Sequence, residues 1–193
     1  MKNEFKPVSF KDMTIEEYTL FQKQFDDPAA FEFYRNLFFE QRPDVPRPKR
    51  IKKLDLVMKK ECALEILSGR KAVEIRKYSD FYVSRMYDKA VLDFEENNWD
   101  NELLRLQMLD FNDSVRAVET IHFHDYGKTW FLDVECTENN TVVLVDDQVE
   151  YLRDEFGFHE FDDELAELNA RGEDKRPLYF YYVIGKILDT DLR

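Results

Sequence analysis

Apolar residues recur at helical spacing through the first part of the chain. Ile15, Tyr18, Phe21 and Phe25, with Gln22 among them, make one mostly apolar stripe over 14–25, because residues three and four apart share a helix face. Thr14 and Glu17 have the spacing of a capping box at its start. Asp27-Pro28 reads as an N-cap followed by proline at the first helical position. The next helix is predicted to run to about Gln41, with Phe31, Tyr34, Leu37 and Phe38 on one face. A stripe of such large rings is core in preference to a cofactor box. The periodicity then stops: Arg42 to Lys53, RPDVPRPKRIKK, holds three prolines and a basic run and reads as a linker or boundary.

Shorter elements follow. Leu54 to Met58 reads as a short strand, and Glu61 to Ser68 as a helix with Ala63, Leu64 and Leu67 inward and Gly69 as its C′ residue. Lys71 to Arg76 is a predicted strand, with Val73 and Ile75 on one face and Ala72, Glu74 and Arg76 on the other. Tyr78 to Phe94 reads as one or two strands, and Asn98 to Leu109 as an inserted helix. Three strands are predicted at Val115 to Phe123, Lys128 to Thr137 and Thr141 to Val145. They are divided by Asp125-Tyr126-Gly127 and by Glu138-Asn139-Asn140. Two acidic helices, 147–156 and 162–170, precede a last strand from Leu178 to Leu188. No internal repeat is visible. Hairpins with scattered helices, without regular βα alternation, predict an α+β domain built on a mostly antiparallel barrel with flanking helices.

Composition narrows the class. At 193 residues and 44% hydrophobic, the chain can bury a substantial core, alone or with an extension. No apolar run approaches the ~20 residues that span a bilayer, and the opening MKNEFKPVSF has no signal-peptide core. Cys62 and Cys136 have neither metal-type spacing nor a disulfide framework, so a cytoplasmic location is expected. The net charge of −13 opposes indiscriminate binding to a polyanion. Its distribution is uneven. From Arg47 to Lys77 there are eleven basic and four acidic residues, an excess of +7 that leaves −20 for the rest. That segment is either a solvated linker beside an ordinary acidic surface or a local anion-binding patch.

The segment from Lys59 to Arg76, KKECALEILSGRKAVEIR, holds the chemistry. Gly69 permits the left-handed turn that brings a strand close to a helix end. Lys71 leaves that turn at the strand's start, where the helix C-terminus favours a cation. Glu74 and Arg76 project from the same strand face. Together they can hold one another or grip a planar ligand, Arg donating through its fork and Glu accepting from amino or imino groups.

The run Gly69, Lys71, Glu74, Arg76 resembles the G-x-K-x-x-E-x-R strand entry of the ASCH domains, a family with a PUA-like barrel and RNA-related roles. The resemblance implies a barrel over 51–193 and a cleft beside the motif. Residues 1–50, a helical N-terminal extension with a basic linker, and a helical insertion near 95–113 lie outside it. It implies Gly69, Lys71, Glu74 and Arg76 at a ligand site for RNA or a modified nucleotide; the basic run, read from its charge alone, offers Arg47, Arg50, Lys52 and Lys53 as candidate RNA backbone contacts. Some small members are similar to amidohydrolases acting on N4-acetylcytidine, where the motif lysine activates a threonine three residues later. Lys71 matches that lysine, but Glu74 stands at the threonine's position, and a carboxylate cannot act as an activated hydroxyl. Thr120, Thr129, Thr137 and Thr141 are not placed by the motif. A non-catalytic recognition module is therefore expected, with a divergent amidohydrolase or an acidic protein-interaction adaptor as alternatives. The adaptor would use the N-terminal helices or the acidic surface.

Other candidates are weaker. His122 and His124 share a strand face and could ligate zinc with His159 or a carboxylate, though pairing with Asp125 is the plainer expectation. Tyr179 to Tyr182 could stack bases or fill the core. The acidic run from Asp146 to Glu164 lacks the glycine and spaced oxygens of a calcium loop. No phosphate-binding glycine loop, dinucleotide fingerprint or nucleophile elbow occurs. No metal and no cofactor is expected.

Overall fold

A computed structural model describes residues 5–112 and 114–192; the first four residues of the expected extension, and Asp113 at the edge of the expected insertion, lie outside the described residues. The element order is α1 (Ile15–Phe21), a 3-10 turn (Gln22–Asp26), α2 (Pro28–Gln41), β1 (Ile51–Val57), α3 (Lys60–Leu67), β2 (Val73–Lys77), α4 (Asp80–Met86), α5 (Lys89–Asn97), α6 (Glu102–Phe111), β3 (Val118–His124), β4 (Phe131–Val143), α7 (Asp146–Phe156), α8 (Asp162–Arg171) and β5 (Leu178–Thr190). The chain is α+β. It divides into two units, one of residues 1–48 and 87–114, the other of 49–86 and 115–193.

The first unit is helical. Thr14 and Glu17 form the capping box of α1 in full, and Asp27 caps α2 with Pro28 at its start. Of the two predicted stripes, Tyr18, Phe21, Tyr34 and Phe38 are buried and Phe25, Phe31 and Leu37 partly so; Phe10 and Phe111, outside both stripes, are buried with them, Phe10 edge-on to Phe38 and Phe111 at 5.7 and 5.3 Å. Edge-to-face pairs of this kind add to the burial energy of the rings. The buried Tyr18 hydroxyl donates to Asp110 at 2.7 Å, so its phenol is not left unsatisfied.

The second unit holds a five-stranded sheet in the order β1-β3-β4-β5-β2. β1 runs parallel to β3, and the other three pairings are antiparallel. The ladder does not return from β2 to β1, so the sheet is open where a closed barrel was expected. α7 and α8 cover Val73, Val142, Tyr181 and Val183 with Val149, Leu152, Leu165 and Leu168.

Three expectations are corrected. The linker ends earlier than predicted, since β1 already starts at Ile51, whose N–H donates to Ala117. Lys52 and Lys53 thus lie on an edge strand, where lysine is tolerated. Tyr78 to Phe94 holds α4 and the first part of α5 in place of the expected strands. The β2 ladder runs out when Tyr78 N–H reaches Leu178, the first residue of β5. Further strand would leave backbone groups unpaired, whereas α4 and α5 satisfy their own. Asp88 caps α5 through the Ala90 N–H. Finally, Glu138-Asn139-Asn140 is no turn. All three residues pair with β5, and register shifts between Asp133 and Glu138 bend β4 without breaking it. Asn139 bonds Val118 N–H and Arg116 C=O through its side chain, extending the β3 edge.

Candidate functional site

Gly69 ends α3 with φ +74°, and nothing lies within 4 Å of where a Cβ would stand. Glycine is needed there for its backbone and not for space. The turn closes with Arg70 and Lys71 N–H both donating to Glu65 C=O, at 2.9 and 3.2 Å. The chain then enters β2, so Lys71, Glu74 and Arg76 come off one short segment.

These three side chains converge. Glu74 Oε1 lies 2.8 Å from Arg76 Nη2, and Glu74 Oε2 lies 3.3 Å from Lys71 Nζ. Arg76 Nη2 also donates to the Val57 carbonyl at the end of β1, 2.9 Å away. Glu74 is the most deeply set, its side chain 8% exposed against 14% for Lys71 and 20% for Arg76. Burial pushes the Glu74 carboxyl above its ordinary range, against the pull of Arg76 and Lys71. Burial pulls the Lys71 ammonium down, but Glu74 and Glu160 more than offset it and hold it above its ordinary value. Arg76 Nε is buried with no hydrogen-bond partner among the described residues, which leaves one donor unspent. On the β2–β5 ladder Glu74 lies opposite Tyr182, whose buried hydroxyl likewise has no partner among them.

Lys71, Glu74 and Arg76 line a cleft of about 890 Å³. The end of β1, the start of α3 and the β3–β4 turn form the rest of its wall, with Trp130 and Tyr126 supplying rings. Trp130 is buried, whereas Tyr126 is 93% exposed at the rim. The β3–β4 turn is tied by Asp125, which accepts from Thr129 N–H and Oγ1, both at 2.7 Å. Hydrogen bonds from Thr129 outweigh the small effect of burial and hold the Asp125 carboxyl below its ordinary range. Four cations line the cleft (Lys59, Lys60, Lys71, Arg76) against four carboxylates (Glu61, Glu74, Asp125, Asp191). It is charge-balanced and not electropositive.

The basic segment is placed differently. None of Arg47, Arg50, Lys52 and Lys53 lines this cleft. Arg47 stacks on the Phe39 ring at 4.1 Å, Arg50 lies 4.0 Å from Glu119, and Lys53 bonds Asp133 at 2.9 Å. Lys52 is exposed on β1. His122 pairs with Asp133 through Nδ1, and His124 Nδ1 lies 2.7 Å from the Asp125 carbonyl, so the expected Asp125 carboxylate is not their partner. Among the described residues no group of three or more His, Cys, Asp or Glu could hold a metal. Phe180 and Tyr182 are fully buried, on the core side of the two readings offered for that run.

Sequence reasoning did not find Asp125, Tyr126, Thr129 and Trp130 as cleft residues. The turn at Asp125-Tyr126-Gly127 is legible locally, but its position depends on β3 and β4 lying between β1 and β5. No helix among the described residues is long and apolar enough to cross a membrane. Comparison with protein-family models, with curated proteins and with solved structures finds no match to this chain.

Proposed function

We propose that the chain is a non-catalytic recognition module that reads a nucleobase, in RNA or in a modified nucleotide, and that its second unit is an opened relative of the PUA-like ASCH barrel. One observation carries this reading: a carboxylate that is nine-tenths buried, Glu74, is fixed between Lys71 and Arg76 in the wall of an open cleft that also holds Trp130 and Tyr126. A carboxylate so fixed accepts from a base's amino or imino edge, and the rings offer faces for stacking. Equal numbers of cations and carboxylates favour a hydrogen-bonding heterocycle over a run of phosphates.

The amidohydrolase alternative is supported less. Of Thr120, Thr129, Thr137 and Thr141, Thr129 alone lines the cleft, and its hydroxyl donates to Asp125. Asp125 is held below its ordinary range, which makes it a poor base for activating that hydroxyl.

The test is calorimetric titration with the four ribonucleosides and with short single-stranded RNAs at several salt concentrations. The reading expects saturable nucleoside binding that Glu74→Gln and Trp130→Ala both weaken. The RNA salt slope should be shallow, near ~0.7 per phosphate contact for only one or two contacts. Failure of every nucleoside and RNA to bind at low salt overturns it.

A further inference from the structure

Lys71 faces two hollows. Besides the cleft it lines a second, of about 460 Å³, between the Gly69–Val73 segment and the loop after α7, where Arg70, His159 and Glu160 also stand. Its ammonium sits between one carboxylate from each side, Glu74 at 3.3 Å and Glu160 at 3.5 Å.

These two carboxylates are not equivalent. Glu74 is buried and also held by Arg76. Glu160 is 60% exposed, and its carboxylate has no second partner among the described residues. An ion pair with so exposed a partner holds weakly, so an incoming anion displaces Glu160 far more easily than Glu74.

The charges of the two hollows also differ. The cleft is balanced, four against four. The second hollow has Arg70 and Lys71 against Glu160 alone, and His159 adds a further positive charge when protonated. The Arg70 guanidinium has no partner among the described residues. His159 keeps its Nδ1 on Asp162 at 2.9 Å. An unpartnered guanidinium and a lysine sharing one concavity suit the oxygens of a phosphate, which arginine grips through two parallel donors.

We propose that this second hollow is a phosphate subsite, so that a nucleoside phosphate lies with its base in the cleft against Glu74 and its phosphate on Arg70 and Lys71, in the place now held by the Glu160 carboxylate. The inference rests on the nucleobase reading of the cleft for the base half alone. Glu160 acts as a resident anion that keeps Lys71 satisfied when the site is empty and lowers affinity for phosphate. Lys71 is the shared wall, which lets one ligand touch both hollows. A free mononucleotide and a residue within RNA offer the same phosphate chemistry.

The experiment is amide NMR titration of the full chain in a phosphate-free, low-salt buffer. Inorganic phosphate is the first probe. Ribonucleosides, their 5′-monophosphates and a trinucleotide follow. Phosphate is expected to shift the amides of 69–73 and 157–160. Arg70→Ala should weaken that response roughly ten-fold, the loss of one charge-assisted hydrogen bond. Glu160→Gln should tighten it several-fold, an outcome that a damaged fold cannot mimic. A monophosphate should bind roughly ten-fold more tightly than its nucleoside in wild type and equally in Arg70→Ala. Tighter binding of the trinucleotide than of any mononucleotide identifies RNA as the source of the phosphate, and the reverse identifies a free nucleotide. No phosphate response at 69–73 and 157–160, or one indifferent to both substitutions, overturns the subsite even if nucleosides bind. A phosphate response without any nucleoside binding upholds the subsite and overturns the nucleobase reading.

Discussion

Arg76 and Glu74, two residues apart on β2, form a buried ion pair, Nη2 to Oε1 at 2.8 Å. The same Arg76 nitrogen reaches the Val57 carbonyl, so one guanidinium links the two edge strands that no ladder joins. Removing one member of a buried pair leaves the other uncompensated, at ~3–5 kcal/mol. Arg76→Ala is expected to lower unfolding stability by about 3 kcal/mol, because it strands Glu74 and frees Val57 at once. Urea denaturation measures this. A loss under ~1 kcal/mol, the level of an exposed pair, would mean that water already reaches the carboxylate.

Acid sensitivity should trace to Asp133 on β4. Burial raises Asp133, but hydrogen bonds from Lys53 and His122 outweigh it and hold the carboxyl below its ordinary range. A folded value below the unfolded one gives stability that is present above the ordinary carboxylate range and lost as pH falls through the folded value. Glu74 works in the other direction: raised by burial, it contributes most in acid and loses that contribution as pH rises through its folded value. Urea midpoints of wild type and Asp133→Asn should therefore differ most at neutral pH and converge at low pH. A constant difference across the range would contradict the assignment.

Incubation with N4-acetylcytidine should release no cytidine beyond the background rate. On the ASCH reading proposed above, Glu74 takes the place of the hydroxyl nucleophile, and it is committed to Lys71 and Arg76. Chromatographic detection of turnover that vanishes in Lys71→Ala would replace recognition with hydrolysis.

Two glycines should fail for different reasons. Gly69→Ala has room but must hold φ +74°, at a cost of ~1 kcal/mol or more. Gly69→Asn should recover part of that, since asparagine tolerates the left-handed region. At Gly185 an added Cβ would stand 2.7 Å from Thr137 Cγ2 and 3.2 Å from Glu135 Cβ. Gly185→Ala should cost ~1–3 kcal/mol as overpacking, relieved in the double variant with Thr137→Ser. Thermal melts of the five proteins distinguish strain from crowding.

Local chemistry was the legible part. The capping box at Thr14, the Asp27-Pro28 start, the Gly69 turn and the shared face of Glu74 and Arg76 depend on neighbours in sequence, and each is found. What was missed depends on partners far away. Whether Tyr78 continues a strand is decided by where β5 begins. Whether Asn139 sits in a turn is decided by its pairing with Tyr182. Lys53 looked free for a phosphate because Asp133, its partner, lies 80 residues on.

The position of β5 also sets an order of events in time. It lies between β4 and β2, and β2 has no other ladder partner among the described residues. Val73 pairs with Val183, so β2 leaves the ribosome about 110 residues before the strand it needs. β1 likewise waits about 67 residues for β3, as Ile51 pairs with Val118. Such distant pairings make folding slow and leave strand edges open meanwhile. Each helix and the α3 turn form from local residues, while the wall that holds Glu74 and Arg76 is completed last. A chain halted before Leu178 would carry every motif residue and lack the site.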